Sequence, residues 1–253
     1  MLRFFSKIRL KLAAENKPVK YMRYALGEIV LVVIGILIAL QINNLKTEHD
    51  DKKTEILVLQ SLKEDLQKDT VDLNRLIDYK RNQLEASREM MHYFVNPDYP
   101  IKDTLDFYYN MSRPFYFITD DPNRTAIEIA KGSGNLFKVT KDSLVNALVS
   151  YFSSTDLSNY LAETKRFSGD YVMVLLKRYR TPTQFSNYTK SLYTGHKEPK
   201  FQVKEFLTDY EMENYYISII LRLELGISMI NNRKSTADNL IKLVDTELQN
   251  LKK

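Results

Sequence analysis

Residues 24–44 read YALGEIVLVVIGILIALQINN. Ile29–Leu40 is unbroken apolar sequence, and Tyr24–Ile42 covers 19 residues with one charge, Glu28. As a helix rising 1.5 Å per residue, that stretch is roughly 28 Å long, close to the ~30 Å hydrocarbon core of a bilayer. A buried helix of a soluble protein can share this composition, but a basic run directly before it is the mark of a membrane span. Residues 1–23 hold Arg3, Lys7, Arg9, Lys11, Lys17, Lys20 and Arg23 against Glu15 alone. Beyond Asn43, Lys46, Lys52 and Lys53 are mixed with Glu48, Asp50, Asp51 and Glu55. The asymmetry predicts a single-pass protein with its N-terminus in the cytoplasm. Cleavage after the span needs small residues at alternate positions, and Leu40, Gln41, Ile42 and Asn43 supply none. A transmembrane signal anchor at 24–43 is therefore expected to stay uncleaved.

Within the arm, Phe4, Phe5, Ile8 and Leu12 fall at helical spacing among Arg3, Lys7 and Lys11. Residues 1–23 read as a cytoplasmic basic amphipathic arm on the anionic inner leaflet, so that lipid is a partner through residues 1–43. A disordered basic tail is the alternative. Along the span, Gly27, Leu31, Gly35, Ala39 and Asn43 recur every four residues on one face. Gly35 and Ala39 form a small-xxx-small pair of the kind that lets a second helix approach closely, although small residues are also common in membrane helices generally. Glu28 carries two readings: snorkelling to the cytoplasmic interface, or an intramembrane carboxylate serving a partner or a proton.

The segment YALGEIVLVVIGILIALQINN behind its basic arm resembles a family of uncharacterised single-span proteins common in flavobacteria and other Bacteroidota. That family opens with a basic arm and a Tyr-Ala-Ile-Gly-Glu-Ile-like start, and its span ends Gln-Ile-Asn-Asn. Here Leu26 replaces the frequent Ile, and Leu45 stands where many members have Trp. Thr125–Leu136 (TAIEIAKGSGNL) is a second, looser match. The resemblance implies an inner-membrane protein with a periplasmic helical domain, and it implies no activity.

Composition agrees with helices beyond the membrane. Of 253 residues, 44% are hydrophobic, enough for a core, and only seven are Gly and seven Pro, too few for many tight turns. No Gly or Pro interrupts 36–96, although Asn43, Asn44, Thr47 and Asp50 are weak helix formers that predict a break. Leu59, Leu62, Leu66, Leu73 and Leu76 then keep 3–4 spacing, interrupted by Asp69, which predicts an amphipathic helix over about 54–95. Residues 96–121 read as a loop with a short helix. Further helices are expected at 122–132, N-capped by Asp121 ahead of Pro122, at 141–153, capped by Thr140, and at 156–180. The 156–180 helix carries Leu157, Leu161, Thr164, Phe167 or Ser168, Tyr171 and Leu175. Residues 181–202 form a polar connector. The last helix, 203–252, bears Tyr216, Ile220, Leu223, Ile227, Ile230, Lys234, Ala237, Ile241, Val244, Leu248 and Leu251 in strict 4-3 spacing, with only Lys234 out of character. That is a coiled-coil-like seam, for packing antiparallel to 54–95 or for self-association. The expected fold class is all-α: one transmembrane helix, then a periplasmic helical bundle over 44–253 with long amphipathic first and last helices.

Several functions are disfavoured. The formal charge is +5, but the 230 residues after the arm carry 30 basic and 31 acidic side chains, so no nucleic-acid partner is expected. Without Cys there is no disulfide or thiolate site. His49, His92 and His196 lie apart with no second ligand at helical spacing, and no metal is expected. Neither a Gly-x-Ser-x-Gly elbow nor a phosphate loop occurs, so no catalytic residues and no cofactor are assigned, and the chain is not read as an enzyme. What remains is a membrane-anchored interaction or scaffold module of the cell envelope, acting as a homo-oligomer or with another envelope protein. The alternatives are a periplasmic ligand sensor, with Tyr108, Tyr109, Phe115, Tyr116 and Phe117 as an aromatic pocket, and an ion-coupled subunit using Glu28.

Overall fold

The computed structural model describes residues 18–117, 124–179 and 201–252. The amphipathic arm around Phe4–Leu12, the Asp121–Pro122 cap, His196 and most of the 181–202 connector lie outside the described residues. All regular structure among those described is helical. The helices are α1 (Pro18–Val95), α2 (Thr104–Ser112), α3 (Thr125–Gly132), α4 (Asp142–Ser153), α5 (Asp156–Arg178), α6 (Val203–Leu207) and α7 (Tyr210–Leu251). Short 3-10 turns follow α2 at Arg113–Phe115 and α3 at Asn135–Lys138. The chain divides into two compact units, 1–57 and 58–253, and α1 contributes to both.

The break expected near Asn43–Asp50 does not occur, because α1 continues through it. The polar side chains there are absorbed by the helix itself. Thr47 Oγ1 donates to the Asn43 carbonyl at 3.0 Å and Thr54 Oγ1 to the Asp50 carbonyl at 2.9 Å. Weak propensity costs only some tenths of a kcal/mol per residue, about 0.7 at most, and without Gly or Pro nothing larger opposes propagation. At the other end, the single helix expected over 203–252 is divided. Asp209 takes an extended conformation, and its carboxylate accepts from the Glu211 N–H at 2.8 Å, which caps α7 and separates it from α6.

In the second unit, α1 and α7 run antiparallel. Lys63 pairs with Asp245 at 2.6 Å and Arg88 with Glu224 at 2.8 Å, so numbering rises along one helix as it falls along the other. Their apolar stripes are turned inward. Leu59, Leu62, Leu66 and Met90 of α1, and Tyr216, Leu223, Ile230, Ala237 and Val244 of α7, are wholly buried. The 4-3 seam is thus consumed inside the unit, and at three alternate positions the buried residue lies one place earlier, while Leu248 is buried as expected. Ile219, Gly226 and Leu240 are buried where Ile220, Ile227 and Ile241 were expected. The shift removes the anomaly at Lys234, which need not enter the core.

The α5 stripe follows the same logic. Ser168, not Phe167, takes the fully buried position, since its hydroxyl donates to the Thr164 carbonyl at 3.0 Å and needs no other partner. Lys141, not Thr140, occupies the N-cap of α4.

The start of α3 is held from another helix. The residue before it, Arg124, makes no side-chain cap bond; the buried Asp65 of α1 accepts from the Ala126 N–H at 2.7 Å instead. A carboxylate at this end also matches the positive pole of the α3 dipole. Asp65→Ala is expected to cost about 1–2 kcal/mol, the usual loss for a cap. Urea unfolding of the full chain would measure it, and the Ala126 amide should lose hydrogen-exchange protection before the rest of α3.

Candidate functional site

The residues singled out in the span form one open face. Gly27, Leu31, Gly35, Ala39 and Asn43 are all exposed, and a Cβ added at Gly27 or Gly35 would meet nothing within 4 Å. Glu28 is half-buried. The helix beginning in this stretch is long and apolar enough to cross a membrane, and none of its apolar window is covered by protein.

The five aromatics proposed as a pocket are dispersed among three environments. Tyr108 and Phe115 are core residues, Tyr109 and Tyr116 are exposed, and Phe117 packs with Leu73, Leu76 and Ile77 in a separate cluster. The reason is the Arg113–Phe115 turn, which sends successive side chains in different directions. Phe115 stacks on Tyr171 with ring centres 3.5 Å apart and planes 10° from parallel. Tyr171 and Tyr216, their hydroxyls 3.1 Å apart, both donate to the Met111 carbonyl. Burial pushes both phenols above their ordinary range, so they remain neutral donors. Gln83 secures the same turn, its Nε2 donating to the carbonyls of Arg113 (2.9 Å), Pro114 (3.2 Å) and Tyr116 (2.7 Å). This layer is a structural joint.

The unassigned chemistry lies along the polar residues set into the α1 stripe. Lys80 is 1% exposed; its Nζ donates to Gln83 Oε1 at 3.0 Å and stands 5.8 Å from the Phe117 ring centre. Burial lowers its pKa to about 8. Three turns earlier, the buried Asp69 accepts from the Tyr151 hydroxyl of α4 at 3.1 Å. The other side of Tyr151 belongs to α7, where the Arg233 guanidinium lies 4.5 Å from its ring centre. Burial, then the charge of Asp69, raise the Tyr151 phenol, while Arg233 opposes them.

Arg233 Nη2 is buried and has no hydrogen-bond partner. Arg233 and Tyr151 form part of the wall of a cavity of about 460 Å³ between α4, α5 and α7. Serine, threonine and asparagine groups share that wall with Leu157, Met229 and Leu240. Of these cavity residues the sequence reading named Leu157, and that only as part of an apolar stripe. The available signal was a pair of interruptions, Asp69 in one apolar stripe and Arg233-Lys234 in the other, which the antiparallel pairing brings to the same tyrosine.

Among the described residues, no group of three or more His, Asp or Glu could hold a metal ion. No curated protein and no solved structure matches the chain. Residues 28–155, from the start of the apolar run to the end of α4, match the profile of a family of unknown function, DUF6090. That match covers half of the sequence, and the chain belongs to the DUF6090 family.

Proposed function

We propose that this chain is a membrane-anchored helical interaction module of the cell envelope. In this reading residues 24–43 cross the inner membrane, the basic arm remains cytoplasmic, and the unit at 58–253 works in the periplasm. Seven basic residues before the span and mixed charge after it support that orientation. The reading assigns no catalytic chemistry to the chain.

The observation that carries the interaction role is a second apolar stripe on α7. Ile217, Leu221 and Leu225, one helical turn apart, are 41%, 62% and 56% exposed. They lie on the side of α7 opposite Tyr216, Leu223 and Ile230, so they are not the edge of the core. Val172, Met173 and Leu176 of α5 are likewise exposed. Single exposed apolar residues are ordinary, whereas a stripe of leucine and isoleucine at i, i+4 and i+8 marks a contact surface. The occupant is a second copy of the chain or another envelope protein.

The test is a photo-crosslinking residue at Leu221 in the full chain within native membranes, with the exposed Asp78 as control site. A discrete adduct from position 221, absent from 78 and abolished by Leu225→Glu, is the expected result. Surface changes of this kind alter stability by only about 0.5 kcal/mol, so loss of the adduct would reflect loss of contact. An uncrosslinked monomer at both positions would defeat the proposal.

A further inference from the structure

We propose that the cavity between α4, α5 and α7 is a binding site for a small aliphatic monocarboxylate, with Arg233 as its anchor. Its volume of about 460 Å³ lies within the range of small-molecule sites, roughly 300–1,000 Å³. Arginine is the residue best shaped to meet a carboxylate, because its planar fork of N–H donors matches the two oxygens. The Tyr151 ring face holds the guanidinium in position, and Tyr151 is itself tied to Asp69. That fixes the cation in advance: the guanidinium also engages the Tyr151 hydroxyl, while Nη2 is left without an acceptor. A buried donor left unpaired is destabilising, and a ligand oxygen reached by a small turn of the guanidinium would recover that loss.

The remaining wall determines what kind of carboxylate fits. Leu157, Met229 and Leu240 suit a short hydrocarbon body. Asp156 stands exposed on the wall, where its oxygen accepts from Ser154 Oγ at 3.3 Å. A fixed negative charge there disfavours a ligand carrying a second carboxylate. Monocarboxylates are therefore favoured over dicarboxylates of the same length.

The experiment is calorimetric titration of the full chain in lipid nanodiscs with hexanoate, hexanamide and adipate, with empty nanodiscs as blank. Saturable binding of hexanoate is expected, at least tenfold tighter than either of the others and lost in Arg233→Gln. Because Arg233 also packs on Tyr151, a second variant guards against misfolding. Ala147→Leu fills the cavity from the α4 wall and leaves the arginine in place. It should abolish binding while the circular dichroism spectrum stays native. Equal affinity for hexanamide, no saturable heat with hexanoate, or unchanged binding in Ala147→Leu would each overturn the assignment.

Discussion

Gly226→Ala is expected to destabilise the second unit by about 2–4 kcal/mol, the sum of an overpacked core and a lost buried hydrogen bond. Gly226 lies in the buried face of α7, where Tyr160 of α5 crosses it. A Cβ at this position would overlap the Tyr160 hydroxyl and stand 2.7–2.8 Å from its ring carbons. The ring cannot simply swing away. It is 7% exposed, packed among Leu73, Leu76, Ile77, Leu161 and Ile230, and its hydroxyl donates to the Arg222 carbonyl one turn earlier on α7. Alanine is the better helix former by about 1 kcal/mol, so an isolated helix would respond with the opposite sign. Urea unfolding of the full chain, followed by far-ultraviolet circular dichroism, distinguishes the two. A variant as stable as the parent would show that α5 and α7 do not approach this closely.

Lys80→Met should act in the other direction. The amine of Lys80 is held to a pKa of about 8 against 10.5 for a free lysine because burial penalises its charged form. The unfolded chain therefore binds this proton more tightly than the folded one. Between pH 8 and 10.5 unfolding takes up a proton at this residue, so the Lys80 penalty is relieved as pH rises across that window; below it the full penalty is present. A difference of this size corresponds to about 3 kcal/mol. Methionine keeps the apolar stem and removes the charge, but it leaves Gln83 Oε1 without its donor, which costs about 1 kcal/mol. A net gain of about 1–3 kcal/mol at neutral pH is expected, as for other buried charges replaced by apolar residues of similar volume. The advantage of the variant over the parent should also shrink as pH rises from 8 to 10.5, because the raised tyrosine phenols titrate alike in both and only Lys80 differs. A loss of stability in Lys80→Met would mean that the ammonium is compensated in the fold.

The positions of these two residues illustrate how much could be foreseen. Gly226 sits within the last helix of the sequence and looks like a mild weakness; only the approach of Tyr160, 66 positions earlier, makes it indispensable. Lys80 falls on the continuation of the leucine stripe of α1, yet charge normally argues for an outward face. The aromatics at 108–117 posed the converse difficulty. Their clustering in sequence suggested one shared environment, and a single 3-10 turn distributed them among core, surface and a second cluster.

Properties that depend on neighbours within one or two helical turns were legible from residues alone. These are the all-helical class, the apolar stretch long enough for a bilayer, and, among the described residues, the inward faces of α1, α5 and α7 to within one residue. Helical periodicity and the scarcity of Gly and Pro act locally, so the chain carries them wherever it folds. Tertiary structure decided the exact register of α7, the closure of its seam against α1, and the meeting of Asp69, Tyr151 and Arg233 beside a cavity. Those outcomes depend on side-chain volume and charge brought together across more than eighty residues, and no local pattern encodes which distant partner will fill a given space.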